Sequence, residues 1–159
     1  MSGTTARSGP VAGTARTAAA PGGQIREVAD ADVEQVVALW RACDLTRPWN
    51  DPRADVAAAR RNPTSTVLVA HDEAGVVGSV MAGYEGHRGW LYYVAVAPSS
   101  QGTGLGRRLV AAAEEWLRAA GASKVRLMVR TTNPAALGFY EALGYADSEC
   151  TVLGRTLDA

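Results

Sequence analysis

The chain has 159 residues, with sixteen basic against sixteen acidic side chains, and 47% of its positions are hydrophobic. That length suits one domain with a core of its own, and that hydrophobic share calls for a packed globule. A net charge of zero gives no electrostatic footing for nucleic acid or a membrane surface, and no apolar run reaches bilayer-spanning length, so neither partner is expected. The two cysteines, Cys43 and Cys150, lie far apart. They read as core thiols in a reducing, cytoplasmic setting, and the His, Cys, Asp and Glu residues show no metal-ligand spacing.

Apart from Met1 and Val11, residues 1–23 are Ala, Gly, Thr, Ser and Pro with Arg7 and Arg16 and no acid. Such a stretch buries too little apolar surface to offset ordering, so it is expected as a disordered tail ahead of a single domain over 24–159. Its Thr, Gly and Pro interrupt what a secretory signal would need as an apolar run. Ile25 to Val28 reads as a first strand. Asp30 is the expected N-cap of a helix whose buried face is Val33, Val36, Val37, Trp40 and Cys43. Pro48 and Pro52 break the helix, and Asp51-Pro52 is the cap and first residue of a second helix ending before Asn62-Pro63. Between the two helices Arg47, Trp49 and Asn50 form a loop able to bind a small molecule, or else Trp49 packs over the first helix.

Ser65 to His71 and Val76 to Tyr84 read as a hairpin closed at Asp72–Gly75. A second turn, Glu85–Gly89, leads into the aromatic and β-branched strand Trp90–Val96, stopped by Pro98. Successive strand residues face opposite sides, so at most one of Tyr92 and Tyr93 is expected in a cleft. His71 reads as a surface residue. Leu105, Leu109, Ala112, Ala113, Trp116 and Leu117 recur at helical spacing up to a Gly121 cap. Lys124 to Arg130 alternates as a strand, and the helical crossover makes it parallel to its predecessor. Asn133 caps a last helix begun by Pro134, with Ala136, Leu137, Tyr140 and Leu143 inward, and Tyr145 to Leu153 is the expected final strand. The order is β-α-α-β-β-β-α-β-α-β: an α/β fold with a mixed, mostly antiparallel sheet and a central parallel strand pair.

The stretch Gln101-Gly102-Thr103-Gly104-Leu105-Gly106 sits between a strand and a helix N-terminus. Unpaired first-turn N–H groups, a positive dipole end and glycines that admit close approach make a phosphate cradle. A Walker loop would need Gly-Lys-Ser/Thr at its end, and a dinucleotide fingerprint a third glycine where Arg107 stands; both fail. Gln-x-x-Gly-x-Gly after a strand resembles instead the acyl-CoA pyrophosphate loop of the Gcn5-related N-acetyltransferases (GNAT family). The block Asn133 to Tyr145 resembles that family's second signature, Asn-x-x-Ala-x-x-x-Tyr-x-x-x-Gly-Phe/Tyr. The likeness covers residues 24–159. Arg47–Pro52 together with Gly83–Gly89 is similar to a small bacterial subgroup, the YpeA-like acetyltransferases.

The resemblance implies N-acetyl transfer from acetyl-CoA to a primary amine, by direct attack through a tetrahedral intermediate and without a metal. The acceptor is either a small amine or amino acid, or a protein N-terminus or lysine. The implied cofactor contacts are the backbone of Val94, Ala95 and Val96 for the developing oxyanion, the loop Gln101, Gly102, Thr103, Gly104, Leu105 and Gly106 for the pyrophosphate, and Asn133, with Arg107 or Arg108 placed to add charge at a CoA phosphate or else on a solvated helix face. Tyr140 matches the family's general acid; seven residues beyond Asn133, it shares a helix face with it. Glu85, at the end of the hairpin, is the expected base, with His87 or water behind it. Arg47, Trp49, Asn50 and Tyr92 are the expected acceptor walls. A homodimer is the family's expectation. A catalytically silent acyl-CoA-binding module on the same fold is the competing reading.

Overall fold

The structure, a computed structural model, describes residues 23–157; the expected tail therefore lies outside the described residues apart from Gly23. A five-stranded sheet runs in sequence order: β1 (Ile25–Glu27), β2 (Ser65–Asp72), β3 (Gly75–Tyr84), β4 (Gly89–Val96) and β5 (Val125–Leu127). β1 to β4 are antiparallel neighbours, and β4 and β5 are parallel. The helices are α1 (Val33–Ala42), α2 (Pro52–Arg61), α3 (Leu105–Ala119) and α4 (Pro134–Glu141). This is the mixed α/β architecture read from the sequence.

Strand alternation splits the sheet into two cores. On one face Leu68, Val80, Ala82 and Leu91 meet Leu105, Leu109, Ala113 and Leu117 of α3. On the other, Val67, Val69 and Ala95 meet Val36, Leu39 and Trp40 of α1 and Val56 and Ala59 of α2. The indole N–H of fully buried Trp40 donates to Ser79 Oγ at 2.8 Å, so the one polar atom of that ring is satisfied inside the core.

Several local expectations fail for identifiable reasons. Asp30 does not cap α1. It opens a 3-10 turn, and Asp32 Oδ2 instead accepts the Ala29 N–H at 2.8 Å. Asp32 also accepts two bonds from the Arg26 guanidinium (2.7 and 3.1 Å) and lies 2.9 Å from His71 Nε2. His71 is thus part of a carboxylate cluster, not a free surface residue. Arg26 and His71 hold the Asp32 carboxyl well below the usual carboxylate range.

β4 carries a bulge. Ser79 pairs with Ala95 and Met81 with Tyr92, so Tyr93 and Val94 together oppose Val80, and Tyr93 takes φ 50°. Pairing of β4 with β5 stops at Leu91↔Leu127, just before the bulge, which is why β5 is shorter than the expected Lys124–Arg130. α4 begins as expected, with Asn133 Oδ1 accepting the Ala136 N–H at 3.0 Å, yet Leu137 is exposed. The expected strand Tyr145–Leu153 does not form among the described residues. Asp147 Oδ1 accepts the Glu149 N–H at 2.8 Å, and Glu149 sits at φ 51°, so a side-chain turn interrupts the extended run.

Candidate active site

Where β4 and β5 part, a cleft of about 1060 Å³ opens. Leu91 to Val94 form one wall and Leu127 to Arg130 the other. Asn133, Ala136 and Tyr140 of the α4 segment close one end, and Arg47, Trp49, Asn50 and Asp55 close the far end. The cleft follows from the bulge: with Tyr93 turned out of register, the β4 edge beyond Leu91 faces no strand among the described residues.

The bulge also overturns the alternation argument, because Tyr92 and Tyr93 both line the cleft. Tyr93 stacks on Trp40 with ring centroids 3.8 Å apart, and its hydroxyl donates to Asp55 Oδ2 at 2.6 Å. Burial and the Asp55 carboxylate both push the Tyr93 phenol up. Trp49, 76% exposed, borders the cleft, so the alternative of packing over α1 is not what forms. The Arg47 guanidinium turns back on its own loop, donating to the carbonyls of Asp44 and Thr46 at 2.9 and 2.7 Å. It is therefore a loop brace first. The Cys43 thiol also borders the cleft and donates to the Val96 carbonyl at 3.4 Å. Burial pushes that thiol up, which makes it a poor nucleophile.

Tyr140 packs edge-on against Phe139 and Tyr145, with ring centroids at 5.0 and 5.7 Å. Burial pushes its phenol up to about 12. A phenol so placed stays protonated through neutral pH and has a hydrogen to donate. Asn133 spends its Oδ1 on the helix cap and keeps its amide N–H₂ for the cleft it lines.

The Gln101–Gly106 loop follows β4 after a 3-10 turn over Pro98–Ser100 and does not line this cleft. Gln101 Nε2 folds back onto the Val96 carbonyl at 3.2 Å, and the Thr103 hydroxyl donates to Ser100 O at 2.7 Å. Gly102 and Gly104 sit at φ 74° and 84°, a left-handed region that a Cβ disfavours. The first N–H accepted within α3 is that of Arg108, by Gly104 O at 3.2 Å, which leaves the N–H groups of Leu105, Gly106 and Arg107 at a positive helix end. A Cβ on Gly106 would come within 3.2 Å of the Phe139 ring, so glycine there lets α4 lie against this end of α3. The loop thereby adjoins the α4 wall that carries Tyr140. Arg107 is exposed, and Arg108 donates to the Gly23 carbonyl at 2.5 Å. A cradle of free amides beside an open wedge fits the pyrophosphate and pantetheine arm of an acyl-CoA.

Glu85 is not brought to this cleft. It borders a second hollow of about 320 Å³ with Trp90 and Tyr92. Its Oε2 accepts the N–H groups of His87 and Arg88, each at 2.7 Å, and those bonds hold the carboxyl below its ordinary value. A carboxylate so stabilised in its charged form is a weak proton acceptor, and the geometry gives the expected base role no support. Two carboxylates do share the cleft with Tyr140: Asp44, engaged by Arg47 Nη1 at 3.3 Å, and Asp55. Sequence reasoning missed Asp55, since an acid in the first turn of a helix is already explained by the helix dipole.

Comparison with known proteins adds the family. The model of the Acetyltransferase (GNAT) family matches residues 34–145. An acetyltransferase of Pectobacterium atrosepticum is 43% identical over 134 residues, 84% of this chain and 95% of that protein. One from Yersinia enterocolitica is 42% identical over the same share of each. Among solved structures, aminoglycoside N-acetyltransferase AAC(6')-Iy, in complex with a CoA-based bisubstrate analogue, superposes with a TM-score of 0.72 at 19% identity over 84% of this chain and 97% of that one. With this fold, this cleft and relatives at that identity, the chain belongs to the GNAT acetyltransferase family.

Proposed function

We propose that this protein is an acetyl-CoA-dependent N-acetyltransferase acting on a primary amine in the cytoplasm. One observation carries the reading: a single cleft presents the Tyr140 phenol, the unpaired edge of β4 and an aromatic far end, beside a loop of free amides. When bound, acetyl-CoA supplies the activated acyl group. The N–H groups of Gly102 to Arg107 bind its phosphates, and the Asn133 amide steadies the pantetheine arm. Backbone N–H groups of Val94 to Val96 donate to the carbonyl oxygen as it gains charge. Tyr140 donates to the sulfur that leaves. Asp55, with the Tyr93 hydroxyl on its Oδ2, takes the proton that the amine gives up.

Trp49, Asn50 and Tyr92 wall the acceptor end, and Arg47 braces the loop that carries two of them. A walled end suits a small amine better than a peptide, and the aminoglycoside transferase with the same fold agrees with that. The test is free-thiol release from acetyl-CoA across amino acids, polyamines, aminoglycosides and peptides with free N-termini. Amine-dependent release that drops in Asp55→Asn is the expected result. Tight acetyl-CoA binding with no release for any amine would favour the silent-module reading.

A further inference from the structure

The second hollow, the one that holds Glu85, is not used by the chemistry above. Its floor is a paired strand position that carries no side chain. Gly83 sits between Ser65 of β2 and Trp90 of β4, and a Cβ there would meet only the Ser65 Cβ, at 3.7 Å. The missing side chain leaves room above the strands, walled by Asn62, Ser65, Met81, Trp90 and Tyr92. Trp90 and Tyr92 are two apart on β4 and lie nearly parallel, with ring centroids 6.4 Å apart and planes 20° apart. They present half-exposed aromatic surface on one side of the hollow.

Glu85 supplies the charge. Both its oxygens are positioned, Oε2 by two backbone N–H groups and Oε1 by the Trp90 indole N–H at 3.4 Å. Among the described residues it makes no ion pair. The arginine of its own turn is engaged elsewhere: Arg88 Nη1 donates to the His87 carbonyl at 2.9 Å and lies 3.3 Å from the His87 ring nitrogen. The field of Glu85 reaches Tyr92, where it adds to burial in pushing that phenol up. A fixed, unpaired carboxylate beside aromatic faces is the chemistry that receives an ammonium group. The hollow and the main cleft share Asn62, Ser65, Met81 and Tyr92 in their walls, so they are neighbouring ends of one acceptor space.

We propose that the hollow formed by Glu85, Trp90 and Tyr92 is a second-ammonium subsite, so that the acceptor is a diamine or polyamine with one cationic nitrogen held there and another amine in the cleft. This rests on the N-acetyltransferase reading and names its substrate class. The first arm of the test needs no turnover: calorimetric binding of 1,4-diaminobutane and of 1-aminobutane to the CoA-bound protein. The diamine should bind at least about tenfold more tightly, and that advantage should shrink about fivefold or more in Glu85→Gln and in Trp90→Leu. The amide introduced by Glu85→Gln would still accept a turn N–H, and unchanged CoA affinity shows that each variant is folded. Equal affinities for the two amines, or an advantage that survives Glu85→Gln in a CoA-binding variant, would overturn the subsite. The second arm is acetyl transfer to the same amines. Tight diamine binding without transfer to these or any other amine of the panel would overturn the transferase reading and leave the subsite standing.

Discussion

Tyr140 shows how much one side chain's surroundings decide. Packed between Phe139 and Tyr145 and pushed up to about 12, its phenol favours donating a hydrogen bond over surrendering the proton outright. Tyr140→Phe keeps the ring packing and removes the donor, so kcat should fall about 100-fold while acetyl-CoA affinity is kept. A raised value also means no ionisation of Tyr140 in the working range. The pH profile of kcat/KM should climb as the amine loses its proton and show no descending limb up to about pH 10. Wild-type kcat in Tyr140→Phe would remove the residue from the chemistry. Asp32 is the stability counterpart, 4% exposed and bonded to Arg26, His71 and the Ala29 N–H. Its folded-state value is depressed, so its contribution is present above the unfolded carboxyl value of about 4 and is lost as pH falls toward the folded one. Asp32→Asn should lower stability at neutral pH by roughly 2–3 kcal/mol, a Tm loss of roughly 8 °C, and should flatten the acid limb below about pH 4. Thermal melts at stepped pH read both effects, and parallel acid limbs in the two proteins would refute the assignment.

At the scale of elements, the turn into α3 couples backbone strain to binding. Gly104 occupies φ 84° at the helix entry. Gly104→Ala should cost about 1 kcal/mol, a Tm shift of roughly 3 °C, and should raise KM for acetyl-CoA about tenfold with kcat little changed, because the amides lose their aim. Steady-state kinetics separates this from general damage, and an unchanged KM would move the phosphates elsewhere. The elements that were legible in the sequence are those with local chemistry. Asp51-Pro52 and Asn133-Pro134 announce α2 and α4 by cap and proline, and the side chains of Asp51 and Asn133 do accept the capping bonds. The same block placed Tyr140 and Asn133 on one cleft wall. What could not be read depends on register. No residue type signals that Tyr93 will bulge, yet the bulge opens the wedge and puts Asp55 and Tyr93 together. The stretch after Tyr145 fails as a strand because Asp147 and Glu149 make a local turn that strand propensity does not weigh.

For the molecule as a whole, the distribution of burial says where a ligand must act. β2, β3 and β4 form long ladders between two sealed cores, while β5 holds β4 through three residue pairs and α4 has no buried residue. Opening free energies follow burial, so β5 and α4 are the low-stability edge, and the cleft lies between that edge and the rigid sheet. A ligand that bridges the two stabilises by about 2.7 kcal/mol at a hundredfold excess over its Kd, and that stabilisation must be felt where opening is easiest. Hydrogen exchange with and without CoA should therefore slow in residues 128–141 and at the amides of Gly102 to Arg107, with β2 and β3 unchanged. Uniform slowing would mean that CoA acts only by global stabilisation. Slowing confined to the loop, with residues 128–141 untouched, would detach Tyr140 from the bound thioester and with it the general-acid role.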